Sequence, residues 1–118
     1  SHPLTIARGE AEQFLGTYEW RWTDEPAAPA MRLELYYADG MIRQRHTPWP
    51  SWYPLLQNQP MVRTGSEWMI AAILENGNVW EMVADMIFEF TFAGGKAVSF
   101  EIRDDRDELM GSGKRVAP

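Results

Sequence analysis

The chain has 118 residues, a length typical of one domain with a single hydrophobic core. Its 11 lysines and arginines against 17 aspartates and glutamates give a net charge of −6, so we expect neither nucleic acid nor a membrane as partner, since both attract basic surfaces. The absence of cysteine excludes disulfide bonds, thiolate catalysis and cysteine-ligated zinc.

The first elements are a lead-in segment and a strand. Residues 5–15 (TIARGEAEQFL) predict a short helix or an irregular segment that ends at the following glycine. In GTYEWRW (16–22), Tyr18, Trp20 and Trp22 alternate with polar residues, which is the period of a half-buried strand. We therefore expect these three rings on one face of the strand.

Residues 32–46 (RLELYYADGMIRQRH) predict a β-hairpin around Asp39-Gly40, a favoured two-residue turn. This turn places Gln44 and His46 on the face that carries the leucines. The expected pairs on that face are Tyr37 with Ile42, Leu35 with Gln44 and Leu33 with His46. On the other face they are Tyr36 with Arg43, an aromatic–cation pair, and Glu34 with Arg45, an opposite-charge pair.

The segment HTPWPSWYPLLQNQP (46–60) interleaves large aromatic residues with prolines. Proline removes a backbone donor and fixes φ, so this density is incompatible with a helix or a central strand. Trp49, Trp52 and Tyr53 are therefore expected on an ordered loop at one end of the core. There they form either a hydrophobic plug or a lid that contacts a ligand.

Two further hairpins and a last strand follow. Residues 66–74 and 79–84 flank a turn at 75–78, and LMGSGKRV (109–116) predicts the last strand. For IFEFTFAGGKAVSFEIR (87–103), a three-residue loop is preferred over a two-residue one because it keeps one face apolar. The preferred loop is Gly94-Gly95-Lys96, which pairs Phe92 with Val98, Phe90 with Phe100 and Phe88 with Ile102. The two-residue Gly-Gly loop pairs Thr91 with Val98 and Phe90 with Ser99.

These segments amount to about eight strands in meander order with hardly any helix. A meander of this length has two exposed edges unless it closes, and closure removes them. We therefore predict an all-β fold, a single domain over residues 1–118 that forms a small antiparallel barrel of about eight strands with a short N-terminal helix or coil. A two-sheet sandwich is the alternative.

Four stretches, in this order, resemble a known family. They are FLGTYEW (14–20), RLELYYADGMI (32–42), YPL (53–55) and ILENGNVWEMVADMIFEFTFAGGKAVSFEIRDDRDELMGSGKR (73–115). The last contains a D-x-x-F-x-F … G-K-x-x-x-F-x-I-R run followed by a short strand with glycines. On these residues the chain resembles the lipocalin-like domain found C-terminal to serine hydrolases of the class C β-lactamase, esterase and D-aminopeptidase superfamily.

The resemblance implies an eight-stranded lipocalin-like barrel, which in some of these enzymes packs beside the catalytic domain with loops reaching toward its active site. The catalytic domain uses a Ser-x-x-Lys nucleophile and a Tyr-x-Asn-type partner, and neither pattern occurs in this sequence. The expected role is therefore that of a non-catalytic domain that gates the site of an associated serine hydrolase, or of a stand-alone relative of such a domain.

The candidate ligand-binding residues are aromatic rings expected at the barrel interior and mouth, together with two polar side chains that orient the ligand. An apolar or aromatic small molecule is the expected ligand, because rings supply contact area and a few polar groups supply orientation. The set is Trp20, Trp22, Tyr37, Gln44, His46, Trp49, Trp52 and Tyr53. No cofactor is expected, and no spacing of metal ligands is present.

Two alternatives stay open. One is a stand-alone enzyme of cyclase or isomerase type that acts on an apolar substrate in the barrel interior, with His46 and Tyr37 as acid–base candidates. The other is an interaction module that forms a homodimer through the aromatic loop. Ser1 and His2 are interpreted as a cloning scar, and the compartment stays open between cytoplasm and periplasm, since a lack of disulfides fits both.

Overall fold

Eight antiparallel strands follow one another around a closed barrel, and the last strand pairs with the first. The computed structural model describes residues 4–48 and 56–118. Each described strand is hydrogen-bonded on both sides, which confirms the predicted closed all-β barrel. The elements are α1 (Arg8–Ala11), β1 (Gly16–Trp22), β2 (Met31–Ala38), β3 (Met41–Thr47), β4 (Pro60–Arg63), β5 (Trp68–Glu75), β6 (Asn78–Ala93), β7 (Lys96–Arg103) and β8 (Leu109–Ala117).

The β2–β3 hairpin has the predicted register. The residues of the Asp39-Gly40 turn have φ values of 55° and 74°, the left-handed conformation that a tight hairpin turn requires. Leu35 lies opposite Gln44 and Leu33 lies opposite His46. Both polar side chains therefore point into the barrel, and both are buried.

On the outer face of this hairpin the predicted pairs of Tyr36 with Arg43 and Glu34 with Arg45 are confirmed, but the cation over the Tyr36 ring belongs to Arg45. Arg45 forms the expected ion pair with Glu34 at 2.7 Å, but its guanidinium also lies over the Tyr36 ring, 4.4 Å from the centroid. Arg43, directly opposite Tyr36, instead donates a hydrogen bond to the Asn58 carbonyl at 2.9 Å. A long side chain reaches its diagonal neighbour on the next strand, so Arg45 contacts both outer-face partners.

The β6–β7 hairpin has a two-residue Gly94-Gly95 loop, so the predicted three-residue loop is wrong. Both glycines have positive φ, as the tight turn requires. Val98 is the extra residue of a bulge and its side chain is exposed, so the predicted Phe92–Val98 pair does not form. Beyond the bulge the ladder returns to the predicted register. There Phe90 pairs with Phe100 and Phe88 with Ile102, as predicted, whereas on the turn side of the bulge Phe92 pairs with Ala97.

Two strands differ from the sequence-based expectation. β6 runs over 16 residues without interruption, where the pattern predicts one strand at 79–84 and another beginning at residue 87. β4 is not predicted, because it is short and begins at Pro60. Proline is tolerated at the first position of a strand, where its missing N–H breaks no ladder. The number of strands agrees with the prediction because one missed strand offsets one strand that is divided in two.

The N-terminal lead-in closes one end of the barrel. Phe14 is fully buried and packs edge-to-face on Phe90, with ring centroids 5.2 Å apart. The Ile6 carbonyl accepts a hydrogen bond from the Tyr37 hydroxyl at 2.7 Å, and the Ile6 N–H donates to the Gly40 carbonyl at 2.9 Å. β1 and β3 both run away from this closed end. We call the opposite end, where β1 and β3 end and β8 begins, the open end.

At the open end, the chain returns from β3 to β4 through residues 56–59, which extend the β3 ladder. The Asn58 N–H donates to the Gln44 carbonyl at 2.8 Å, and the Gln44 N–H donates to the Gln59 carbonyl at 3.0 Å. Further along, the side-chain amide of Gln57 accepts from the His46 N–H at 2.9 Å and donates to the His46 carbonyl at 3.3 Å. A side chain therefore replaces a strand as the partner of this part of β3.

Candidate functional site

A cleft of about 610 Å³ lies at the open end, between the loop after β1, the middle of β6 and the start of β8. Small-molecule sites in proteins typically measure about 300–1,000 Å³. We call it the mouth cleft. Its apolar lining is Trp22, Val83, Met86 and Met110, and its polar lining is Thr23, Asp24, Glu25 and Asp85.

Gln44 and His46 form a buried polar pair inside the barrel near the mouth cleft. They are two residues apart on the inner face of β3, with exposed fractions of 0% and 1%. His46 Nε2 and Gln44 Oε1 are 2.8 Å apart. The remaining atoms of the pair, Gln44 Nε2 and His46 Nδ1, have no hydrogen-bond partner among the described residues.

Trp20 is a third buried residue with an unsatisfied polar atom. It is 1% exposed, its ring centroid lies 6.0 Å from that of His46, and its indole Nε1 has no partner within the described ranges 4–48 and 56–118. Its ring also packs edge-to-face on Trp22 at 4.7 Å. Because Trp22 lines the mouth cleft, it connects the cleft to Trp20. We call Trp20, Gln44 and His46 the polar trio.

Two donors and one acceptor of the polar trio have no partner among the described residues. The hydrogen bond between His46 and Gln44 needs one donor and one acceptor, so it fixes the histidine tautomer for each orientation of the amide. If the Gln44 oxygen accepts, the amide NH₂ stays unpaired and Nδ1 is a bare acceptor. If the amide is reversed, its oxygen is the unpaired acceptor and Nδ1–H is a donor. Together with the Trp20 N–H, either arrangement complements a hydroxyl group, which accepts and donates.

Burial keeps the imidazole of His46 neutral at physiological pH. Desolvation lowers the pKa of His46 from 6.5 to about 4, since the cation would lie in a site from which water is excluded. The ring is therefore available as a neutral hydrogen-bonding group.

This lowered pKa predicts an acid-sensitive fold. Between pH 6.5 and 4 the unfolded chain binds a proton at His46 that the folded chain does not, so the free energy of unfolding falls as the pH is lowered. The loss reaches about 3 kcal/mol at pH 4, from ~1.4 kcal/mol per pKa unit. Urea denaturation of the wild type and of His46→Gln at pH 7.5, 6, 5 and 4 measures it. We expect the free energies of unfolding of the two proteins to diverge only below pH 6.5, where the wild type loses more stability than His46→Gln. Parallel pH profiles of the two proteins would contradict a buried neutral imidazole at His46.

Tyr37 lies apart from the polar trio. Tyr37 lies opposite Ile42 of β3. Ile42 precedes His46 by four residues, so Tyr37 and His46 are about 13 Å apart along the strands. Its hydroxyl donates to the Ile6 carbonyl and the Arg8 guanidinium covers its ring at 4.8 Å. The structure thus places Tyr37 at the closed end, and does not bring it together with His46.

The other predicted site residues divide into two groups. Trp20, Trp22, Gln44 and His46 come together at the open end as described. Trp49, Trp52 and Tyr53 lie outside the described residues, so the choice between plug and lid stays a prediction. Within residues 4–48 and 56–118, no three His, Asp or Glu side chains form a group that could hold a metal ion, and no helix is long and apolar enough to cross a membrane.

Several residues of the mouth cleft were not predicted from the sequence. Val83, Met86 and Met110 come from β6 and β8, which are adjacent to Trp22 only because the barrel closes. The excess of methionine, seven in 118 residues, is the sequence signal that could have pointed to them, because methionine lines adaptable apolar sites.

No family model matches the chain, and comparison with curated proteins and with solved structures gives no match. The function is therefore inferred from the residues of the chain itself.

Proposed function

We propose that the chain is a non-catalytic, lipocalin-like barrel that binds an apolar small molecule carrying a hydroxyl group at its open end. The observation that carries the proposal is the polar trio, in which three buried polar atoms lack partners among the described residues. The apolar body of the ligand occupies the mouth cleft, and its hydroxyl group hydrogen-bonds to the trio.

The cost of leaving the trio unpaired supports this proposal. Buried polar groups in folded proteins are nearly always hydrogen-bonded, and an unsatisfied one costs roughly 1–3 kcal/mol. Apolar residues at positions 44 and 46 would avoid this cost, since the neighbouring positions of the inner face are leucine and isoleucine. A ligand hydroxyl recovers part of the cost on binding, which favours ligands that carry one.

The path from the cleft to the trio leads past Trp22. This ring is half-buried, lines the cleft and contacts Trp20 on its inner side. A ligand whose hydroxyl reaches the trio therefore displaces the Trp22 ring from Trp20. Because two indole rings change environment together, binding is expected to alter the tryptophan emission of the protein.

Three naphthalenes that differ in one group test the proposal by isothermal titration calorimetry. We expect 2-(2-naphthyl)ethanol to bind about tenfold more tightly than 2-ethylnaphthalene, which corresponds to about 1.4 kcal/mol for the hydroxyl. The third compound, 2-(2-naphthyl)ethylamine, carries a positive charge in place of the hydroxyl. Saturable binding of the alcohol with no advantage over the hydrocarbon would contradict recognition by the trio.

A double variant links the binding to the named atoms. Gln44→Leu/His46→Leu removes the polar pair, so the alcohol should bind no better than the hydrocarbon. The variant should also be about 1–2 kcal/mol more stable to urea, because apolar groups of similar shape replace unsatisfied ones. The control is Glu34→Gln/Arg45→Gln, which removes an ion pair from the outer face of the β2–β3 hairpin. A control that loses the alcohol preference equally would argue against a specific role of the trio.

The association with a serine hydrolase is supported by the sequence resemblance alone. It predicts that, in the native gene, a domain with a Ser-x-x-Lys motif precedes the present sequence. The cyclase or isomerase alternative would depend on His46 without Tyr37, since the two lie about 13 Å apart along the strands. Turnover that His46→Gln abolishes would favour that alternative over binding alone.

A further inference from the structure

We infer that the mouth cleft selects ligands with a positive charge, of the amine class, beside their apolar body. This inference rests on the proposed binding function and adds the chemistry of the rim. Asp24 and Glu25 on the loop after β1 and Asp85 on β6 line the cleft. Asp85 follows Asp24 by 61 residues and Glu25 by 60 residues in the sequence, and the three side chains meet at one opening because the barrel closes.

The rim of the cleft, formed by Asp24, Glu25 and Asp85, carries negative charge without a cation among the described lining residues. Its three carboxylates are exposed, and no lysine, arginine or histidine is among the described residues that line the cleft. Within the described part of the chain, none of the three forms an ion pair. The nearest cation along the sequence, Arg21, is on the outer face, where its Nε donates to the Ala28 carbonyl at 2.9 Å.

The apolar lining decides between a metal ion and an organic cation. Val83 and Met86 are buried, and they form the cleft with the half-buried Trp22 and Met110. A bare metal ion would gain nothing from these side chains, because hard cations bind through oxygen ligands alone. An ammonium group on an apolar body satisfies both parts of the cleft, with its charge among the carboxylates and its body against the apolar side chains and the Trp22 ring.

Four naphthalenes test the inference on the intact chain. At pH 7 and 10 mM NaCl, 2-(2-naphthyl)ethylamine should bind at least tenfold more tightly than 2-naphthylacetate, its anionic counterpart, and more tightly than the uncharged 2-ethylnaphthalene. Raising NaCl to 150 mM shortens the Debye length from roughly 30 to 8 Å and should weaken the amine severalfold. The affinity of 2-(2-naphthyl)ethanol should stay within a factor of two over the same change.

A triple variant identifies the charges. Asp24→Asn/Glu25→Gln/Asp85→Asn should abolish the preference for the amine over the acetate, whereas the preference for the alcohol over 2-ethylnaphthalene should remain because the polar trio is unchanged. The control, Asp104→Asn/Asp105→Asn/Asp107→Asn, removes the same number of charges from the loop before β8, which does not line the cleft. If both variants weaken the amine equally, the net charge of the protein is responsible and the inference fails.

The outcomes separate this inference from the proposed function. If the alcohol binds through the trio but the amine binds no more tightly than the acetate, the inference is wrong and the proposed function stands. If the wild type prefers the amine and the triple variant does not, the three carboxylates select for positive charge. This conclusion holds even if the alcohol binds no more tightly than 2-ethylnaphthalene. If none of the four compounds binds, both the proposed function and the inference are wrong.

Discussion

Replacing Arg115 by methionine is expected to cost about 4 kcal/mol of folding free energy, because one side chain holds the closed end of the barrel together. Its guanidinium donates to the carbonyls of Ala97 and Leu15 at 2.6 Å each and to the Tyr18 hydroxyl at 2.9 Å. The Tyr18 hydroxyl in turn donates to the Phe14 carbonyl at 2.6 Å. The variant leaves these acceptors unpaired beside the core and releases the lead-in from β8.

Urea denaturation monitored by tryptophan fluorescence measures this effect. Lys114→Met is the control, because Lys114 is the exposed neighbour of Arg115 on the same strand and should change stability by less than about 0.5 kcal/mol. A second readout is the ionisation of Tyr18, whose pKa burial raises to about 12. Equal stability of Arg115→Met and Lys114→Met would show that the guanidinium does not hold the end closed.

The substitution Gly113→Val is expected to destabilise the barrel by at least about 4 kcal/mol, or to prevent folding. A Cβ at this position would lie 2.6 Å from the Trp20 Cβ, 2.7 Å from the Phe100 ring and 2.8 Å from the Glu19 carbonyl oxygen. Backbone and Cβ atoms cannot move out of the way without separating β1 from β8. Since Trp20 belongs to the polar trio, the variant also displaces the candidate site.

The control for Gly113→Val is Ser112→Val, on the exposed face of the same strand. Valine favours strands, so this control should be neutral or slightly stabilising. The soluble yield and the urea midpoint of the two proteins decide the matter, and the milder Gly113→Ala gives a measurable midpoint if the valine variant does not fold. A Gly113→Ala protein as stable as the wild type would contradict the close β1–β8 contact at this position.

Local patterns were sufficient to predict the β2–β3 hairpin and the inward direction of Gln44 and His46. A strict alternation fixes which side chains share a face, and Asp39-Gly40 fixes the register from which the pairs are counted. The same logic placed Trp20 inward. The sequence could not show that polar atoms of these residues have no partner in the described part of the chain, because that depends on what the other strands bring to the interior.

Errors arose where a long-range contact or a local irregularity decides the structure. The bulge at Val98 has no signature in the alternation, so the pattern predicted a longer loop. Arg115 follows Gly111 and Gly113 at the period of two and therefore shares their inward face. An arginine in phase with inward glycines was a readable signal for a half-buried structural cation, and it was missed.

The strand pairing in the barrel wall is short between β3 and β4. Within the described residues, Ile42 and Arg43 pair with β4 and Gln44 is hydrogen-bonded to the backbone of Asn58 and Gln59. Beyond Gln44, the side chain of Gln57 takes the place of a neighbouring strand beside His46. A side-chain amide is released by a single rotamer change, whereas a strand must be peeled away bond by bond. We therefore expect β3 to open at His46 more readily than where backbone pairs with backbone, and such an opening would expose His46 through the wall of the barrel.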